Sequence, residues 1–251
     1  MSSIVTPALA HASAATPGTL YLVPNLLGLT APEDVLPART LAVARRLTHF
    51  VVETPKAARA FLKTIAPERA IAELSIIAAD PIATADAQCR QWLMAGIDVG
   101  MVSDAGCPGM ADPGAHVVAL AHALSAPVVP LVGPSSVLLG LMASGLDGQH
   151  FSFHGYLPAK PDARDAALRE LDRQVQKTGA TQIFIETPYR NDAMIAAILA
   201  TTSPRTVVCA AQALSTAVEC VISKPRAAWT ADDRTRLAVK QPTLYLLGTS
   251  Q

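Results

Sequence analysis

The residue types most able to do chemistry are concentrated in one turn. Residues 103–114 read SDAGCPGMADPG and follow the apolar run IDVGMV. Glycine lets a backbone approach a ligand closely, and the start of a helix offers free N–H groups. Asp104 and Asp112 repel phosphate and attract cationic or hydroxyl-bearing groups. A phosphate cradle calls for a P-loop or a GxGxxG turn, and neither is present. The stretch therefore favours a ligand with an amine and ribose hydroxyls over one with a pyrophosphate. The same residues also serve as punctuation. Asp112-Pro113-Gly114 suits a helix N-cap and Asp104-Ala105-Gly106 suits a turn, so spacing alone leaves both readings open. Two more turns carry similar chemistry, PNLLG at 24–28 and VGPSS at 132–136.

The elements that must position these turns alternate between strand and helix. TLYLVP (19–24), HFVVE (49–53), LSIIA (74–78), IDVGMVS (97–103) and PVVPLVG (127–133) read as strands. Between them lie helical patterns at 39–47, 54–65, 83–96 and 112–125. Thr54 and Asp112 stand at N-cap positions and Pro55 and Pro113 at first helical positions. Near-continuously apolar strands alternating with helices predict a parallel sheet covered on both faces. Ligands of such sheets sit at the carboxyl ends of the strands, where all three turns lie. The second half differs. Helices are expected at 135–145, 163–179 and 190–201, with a strand at 181–186. RTVVCAAQ, AVECVISK and PTLYLLG then suggest antiparallel, hairpin-type pairing. The expected organisation is a lead-in at 1–18, an α/β domain at 19–133 and a second at 134–251.

Composition bounds the partners. Lysines and arginines number 20, as do aspartates and glutamates, and 51% of residues are hydrophobic. A strongly basic surface built for nucleic acid is absent. The helix at 163–179 interleaves Arg164, Arg169, Arg173 and Lys177 with acids, as a solvated face does. Cys89, Cys107, Cys209 and Cys220 form no CxxC pair and have no histidine at ligand spacing, so no metal site and reduced thiols are expected. The opening residues have no basic n-region, and no apolar run approaches the roughly 18 residues of a membrane span. A cytoplasmic protein is expected.

Taken in order, LYLVP…G, VSDAGCPGMADPG, VVPLVGPSS, ASGL, FHGYLPAK and IFIETPYR resemble the tetrapyrrole methylase superfamily of S-adenosylmethionine-dependent methyltransferases. Among its branches they are most similar to the small-subunit rRNA ribose 2′-O-methyltransferase I family. The resemblance runs from about residue 19 to 248. It implies a two-domain α/β fold, a mainly parallel N-terminal sheet, a mixed C-terminal sheet and S-adenosylmethionine in the cleft between them. It also implies a homodimer, with the small ribosomal subunit or its rRNA as partner. Carried over by motif, the cofactor residues are Leu27 and Gly28 after the first strand, and Ser103, Asp104, Ala105 and Gly106 in the central turn. Ser135 and Ser136 follow in GPSS. The second half contributes Glu186, Thr187, Leu214, Pro242 and Thr243.

The chain also departs from that family. Asn25-Leu26-Leu27-Gly28-Leu29 replaces a TPIGN-type loop, Val52-Glu53-Thr54-Pro55-Lys56 replaces AEDTR, and residues 78–82 replace a histidine-rich run. Methyl transfer to a hydroxyl needs an aligned acceptor and a base for its proton. Glu53 and Lys160 are the catalytic candidates. Their other readings are an acid at a helix N-terminus and a solvated loop lysine. Three functions remain open: rRNA ribose methylation, methylation of a tetrapyrrole or other small molecule, and a non-catalytic paralogue that binds the cofactor.

Overall fold

The computed structural model describes residues 16–112, 114–237 and 240–250. Most of the expected lead-in, residues 1–15, and Pro113 lie outside them. Gly18, the last residue of the expected lead-in, is packed. Its N–H donates to the Leu93 carbonyl at 2.8 Å, and a Cβ there would stand 2.0 Å from the Ile97 oxygen.

The first half builds β1 (Leu20–Val23), α1 (Pro32–Val35), α2 (Ala38–Arg46), β2 (His49–Val52), α3 (Pro55–Thr64), β3 (Ser75–Ala78), α4 (Ile82–Met94), β4 (Val99–Val102), α5 (Ala115–Ala123) and β5 (Val128–Pro130). The five strands form one sheet in the order β3-β2-β4-β1-β5, and every pairing is parallel. Its two faces hold separate cores. Phe50 and Val52 pack with Leu41 of α2 and with Phe61 and Leu62 of α3. Val51 and Met101 pack with Cys89 and Leu93 of α4 and Val117 of α5. This two-faced burial is why the strands read as unbroken apolar runs.

The second half continues with α6 (Ser136–Ser144), β6 (Phe151–Tyr156), α7 (Pro161–Thr178), β7 (Thr181–Glu186), α8 (Asn191–Thr201), β8 (Val207–Gln212), β9 (Cys220–Pro225), α9 (Ala231–Arg236) and β10 (Thr243–Gly248). The sheet order is β6-β7-β10-β8-β9. β6 runs parallel to β7, and the remaining pairs are antiparallel. The two-residue period is visible along β10. Tyr245 and Leu247 join the core beneath α7 and α8, while Leu244 and Leu246 face Val137 and Leu141 of α6. The α/β class and the mainly parallel and mixed sheets match the expectation. β6 has no counterpart among the expected strands. It forms an edge strand with two exposed and three half-buried residues among its first five, so it lacks the apolar run that marks its neighbours.

Helix starts differ from expectation in their chemistry. Thr54 occupies the N-cap of α3, yet its side chain makes no capping bond. The helix expected from Asp112 begins instead at Ala115, with Gly114 at the N-cap and φ 137°. Asp112 is thereby released from capping. The reason is local: a side chain at Gly114 would collide with Met101, its Cβ 1.5 Å from Met101 Cε. Only glycine lets this chain turn against β4 in such a conformation. Among the described residues no helix is long and apolar enough to cross a membrane.

Close packing at the carboxyl end of the first sheet generates a prediction. A Cβ on Gly133 would stand 2.3 Å from Pro24 Cβ and 2.6 Å from Pro24 Cγ, and a proline ring cannot swing away. Gly133→Ala is expected to lower unfolding free energy by about 1–3 kcal/mol, measured by urea denaturation. Unchanged stability would show that the β1 and β5 loops are not wedged together.

Candidate active site

Three loops at the carboxyl ends of the first sheet are tied to one another. Asn25, buried after β1, spends its whole carboxamide on this. Nδ2 donates to the Ser103 and Asp104 carbonyls at 2.9 and 3.0 Å, and Oδ1 accepts the Leu26 N–H at 2.7 Å. Its own N–H donates to the Gly106 carbonyl at 2.8 Å. The Ser103 hydroxyl, also buried, lies 3.2 Å from the Ala105 and Gly106 carbonyls. The β5 loop joins through Cys107, whose Sγ lies 3.4 Å from the Pro134 carbonyl. Burial pushes the Cys107 thiol up, so it stays protonated.

Acidic residues form the outer side of the same turn. The Asp104 carboxylate accepts the Thr54 N–H at 3.0 Å and the Thr54 hydroxyl at 2.7 Å, which is where the missing helix cap went. The Asp104 N–H in turn donates to Glu53 Oε2 at 2.9 Å. Asp112 lies close enough to feel both. Burial above all, then the charge of Glu53 and to a smaller extent that of Asp104, outweigh a hydrogen bond from Ser103. Together they push its carboxyl up to about 6.

These loops face the second sheet across a cavity of about 190 Å³ that opens to solvent on one side. From the first half, Leu27, Ala105, Gly106, Met110 and Asp112 line it. Ser135 and Ser136 line it at the start of α6. The opposite wall comes from Tyr156 of β6, Glu186 of β7, Ala211 and Leu214 at the end of β8, and Pro242 and Thr243 at β10. The inner wall is buried and mostly apolar, whereas Ala105, Met110 and Tyr156 are exposed at the rim.

Two supports hold the second wall. Glu186 is only 4% exposed. Its carboxylate accepts the Thr187 N–H at 2.6 Å and an Arg190 nitrogen at 2.7 Å. Thr243 Oγ1 is occupied by Asn191 Nδ2 at 2.9 Å and Gln212 Nε2 at 3.0 Å. Its hydroxyl is therefore a structural anchor. Ala111, Ala213 and Ser215 take φ of 67°, 50° and 61°. These are left-handed conformations that cost a non-glycine residue about 1–3 kcal/mol, and Ala111 and Ala213 line the cavity.

Nine of the thirteen cofactor positions expected from the resemblance line this cavity: Leu27, Ala105, Gly106, Ser135, Ser136, Glu186, Leu214, Pro242 and Thr243. Four do not. Gly28 packs against the second half instead, where a Cβ would stand 2.6 Å from Thr216 Cγ2. Ser103 and Thr187 serve the loop backbone, and Asp104 is turned toward Thr54. Neither catalytic candidate lines the cavity. Glu53 sits behind Asp104, and Lys160 is exposed at the N-cap of α7. Sequence reasoning missed Asn25, which looks like an ordinary turn residue, and it left Asp112 open between helix cap and ligand contact. It also missed Tyr156 and Met110, which only the folded sheet edge and loop bring to the rim.

No family model matches the chain. The solved uroporphyrin-III C-methyltransferase from Thermus thermophilus, complexed with S-adenosylhomocysteine, superposes with a TM-score of 0.54 at 17% identity, covering 92% of this chain and 97% of that one. The chain shares the fold of that methyltransferase. Within that fold, its sequence relatives include proteins named ribosomal RNA small subunit methyltransferase I. The protein of that name from Vibrio cholerae serotype O1 is 37% identical over 147 residues, 57% of this chain and 50% of the relative. That from Micromonospora olivasterospora is 35% identical over 195 residues, 78% of this chain and 59% of the relative. The chain thus spans between half and three-fifths of the length of these relatives.

Two predictions follow from the loop geometry. Asn25→Ala strips the Ser103 and Asp104 carbonyls of a buried partner and is expected to cost about 1–3 kcal/mol in urea denaturation. Equal stability would mean that water replaces the carboxamide. The second concerns Asp112, whose folded pKa stands above its ordinary value of 3.8. Its contribution to stability is complete below that ordinary value and is lost as pH rises through about 6. The stability of the wild type relative to Asp112→Asn should therefore fall between about pH 4 and pH 7. A flat difference would contradict the burial of this carboxyl.

Proposed function

We propose that the protein is an S-adenosylmethionine-dependent methyltransferase acting on a hydroxyl, with the ribose 2′-hydroxyl of small-subunit rRNA as acceptor. One observation carries this: a cavity lies where the loops of the parallel sheet meet the second sheet, in a fold solved with S-adenosylhomocysteine in a neighbour. The names of the sequence relatives support small-subunit rRNA as substrate, and the family resemblance of the motifs supports the ribose 2′-hydroxyl as acceptor. In this reading residues 19–133 and 134–251 act as two domains around the cleft.

The chemistry of the cavity fits that cofactor. No lysine or arginine lines it, which disfavours a pyrophosphate. The apolar wall of Leu27, Ala211, Leu214 and Leu244 suits an adenine face. The start of α6 supplies unpaired N–H groups suited to a carboxylate, beside the hydroxyls of Ser135 and Ser136. The acidic turn of Glu53, Asp104 and Asp112 favours an ammonium and a sulfonium. When bound, the cofactor supplies an activated methyl. The residues of this chain orient it, exclude water from the inner wall and leave the rim open to the acceptor.

The reading extends to location and assembly. The protein works in the cytoplasm as a homodimer, a state supported by the exposed apolar side chains of Val132, Leu138 and Met142 on and beside α6. Light scattering would test the dimer.

S-adenosylhomocysteine should bind with micromolar or tighter affinity in calorimetry. Ala105→Leu, which puts three more carbons into the mouth from an exposed position, should weaken that binding at least about tenfold without lowering the thermal midpoint. Small ribosomal subunits from a strain lacking the modification should accept labelled methyl. Binding without transfer would favour a non-catalytic paralogue, and transfer only to a tetrapyrrole or another small molecule would redirect the acceptor. Absence of binding would overturn the reading.

A further inference from the structure

We propose that Asp112 is the general base that takes the proton of the acceptor hydroxyl during methyl transfer. The assignment rests on the methyltransferase reading above and names the residue at which that reading places proton removal.

The argument is one of position and commitment. Two carboxylates line the cavity, Asp112 and Glu186. Glu186 is buried and held by the Arg190 guanidinium and the Thr187 N–H, so its lone pairs are spent on maintaining the wall. Glu53 and Asp104 stand behind the turn and are committed to the Asp104 N–H and to Thr54. The Ser103 hydroxyl is the hydrogen-bonding group that faces Asp112 among the described residues. Among the described residues Asp112 is the cavity carboxylate held by neither a cation nor a backbone N–H. It also sits at the exposed end of the cavity, beside Met110, where an acceptor would enter.

The backbone aims it there. Gly109 at φ 83°, Ala111 at φ 67° and Gly114 at φ 137° bracket Asp112. A left-handed alanine directly before the carboxylate is backbone strain concentrated at the residue assigned the chemistry.

The groups facing Asp112 set its protonation. Glu53 from the end of β2 and Asp104 after β4 raise its affinity for a proton, while Ser103 lowers it. A carboxyl titrating near 6 is largely ionised at neutral pH yet far more basic than an ordinary aspartate, which is what a base needs. Tyr156, across the rim on β6, is itself pushed up by burial and then by the charges of Asp112, Glu186 and Glu53, against Arg190. It stays a phenol and can donate to the acceptor oxygen. In the step itself the acceptor oxygen forms its bond to the methyl carbon as the methyl–sulfur bond breaks. The electron pair of that bond remains on sulfur, and the hydroxyl proton ends on Asp112.

The test uses the full chain in three forms: wild type, Asp112→Asn and Asp112→Glu. Carbon-detected NMR of the aspartate carboxyls, assigned through the Asn variant, should place one midpoint near 6 in the wild type. Calorimetry of S-adenosylhomocysteine with each form sets the cofactor concentration at which all three are saturated, so that the rates report transfer and not binding. Single-turnover methyl transfer to unmodified small ribosomal subunits should fall at least about 100-fold. The acidic limb of the rate–pH profile should vanish in the Asn variant and return, displaced, in Asp112→Glu. A midpoint below about 4.5, a rate within tenfold of the wild type or an unchanged acidic limb would each overturn the assignment. Wild-type protein that binds S-adenosylhomocysteine but methylates no subunit removes the hydroxyl acceptor and overturns it too. Wild-type protein that fails to bind S-adenosylhomocysteine overturns the functional reading first, a distinguishable failure.

Discussion

The cavity depends on how the Asn25 carboxamide holds the loop after β1 against the loop after β4. β1 and β4 are neighbours in register, with Val23 opposite Val102, so their carboxyl ends leave the sheet side by side. Two chains diverging from such a point would expose their carbonyls to an apolar neighbourhood, at a cost of a few kcal/mol for each group left unpaired. Asn25 answers this with two donated bonds to Ser103 and Asp104, while its backbone N–H takes Gly106. Once these bonds form, the path of residues 103–106 is set. Leu27 then reaches the apolar face of the second sheet, where it packs with the α6 cluster.

Electrostatics divides the cavity into two ends. The inner wall carries apolar side chains and hydroxyls whose partners are internal, as with Thr243. The outer turn concentrates three carboxylates with no lysine or arginine among the lining residues. Burial and like charge act together on Asp112, and the Thr54 donors and the Asp104 N–H absorb Asp104 and Glu53. One acid of three is therefore left uncommitted. A cap expected at α3 was diverted to make this arrangement, and a cap expected at α5 was dispensed with. Local helix energetics worth about 1 kcal/mol per cap gave way to the organisation of the site.

Much of the fold was legible because its physics is local. The apolar runs of β1, β2, β4 and β10, the helical spacing of α2, α3 and α4, and the terminal glycines at 96, 145 and 179 act within a few residues. β6 escaped notice because an edge strand need not be apolar on both faces, and its pairing partner β7 supplies the order. The turns rich in glycine, proline and aspartate were compatible with a ligand site and with plain punctuation alike; the family resemblance supplied the expected lining positions, nine of which meet at the cavity. Gly28, Ser103, Asp104 and Thr187 belong to the same neighbourhood but point elsewhere, since motif position cannot report side-chain direction.

The sequence by itself determined the class of fold and the two kinds of sheet, because period-two and period-3.6 apolar patterns and turn residues encode these within short windows. The tertiary structure alone decided which acid faces the cavity. That choice rests on Asp104 meeting Thr54 fifty residues away, on Gly114 pressing against Met101, and on Tyr156 arriving from another sheet. Each is a contact between distant segments, and a one-dimensional pattern carries no term for it.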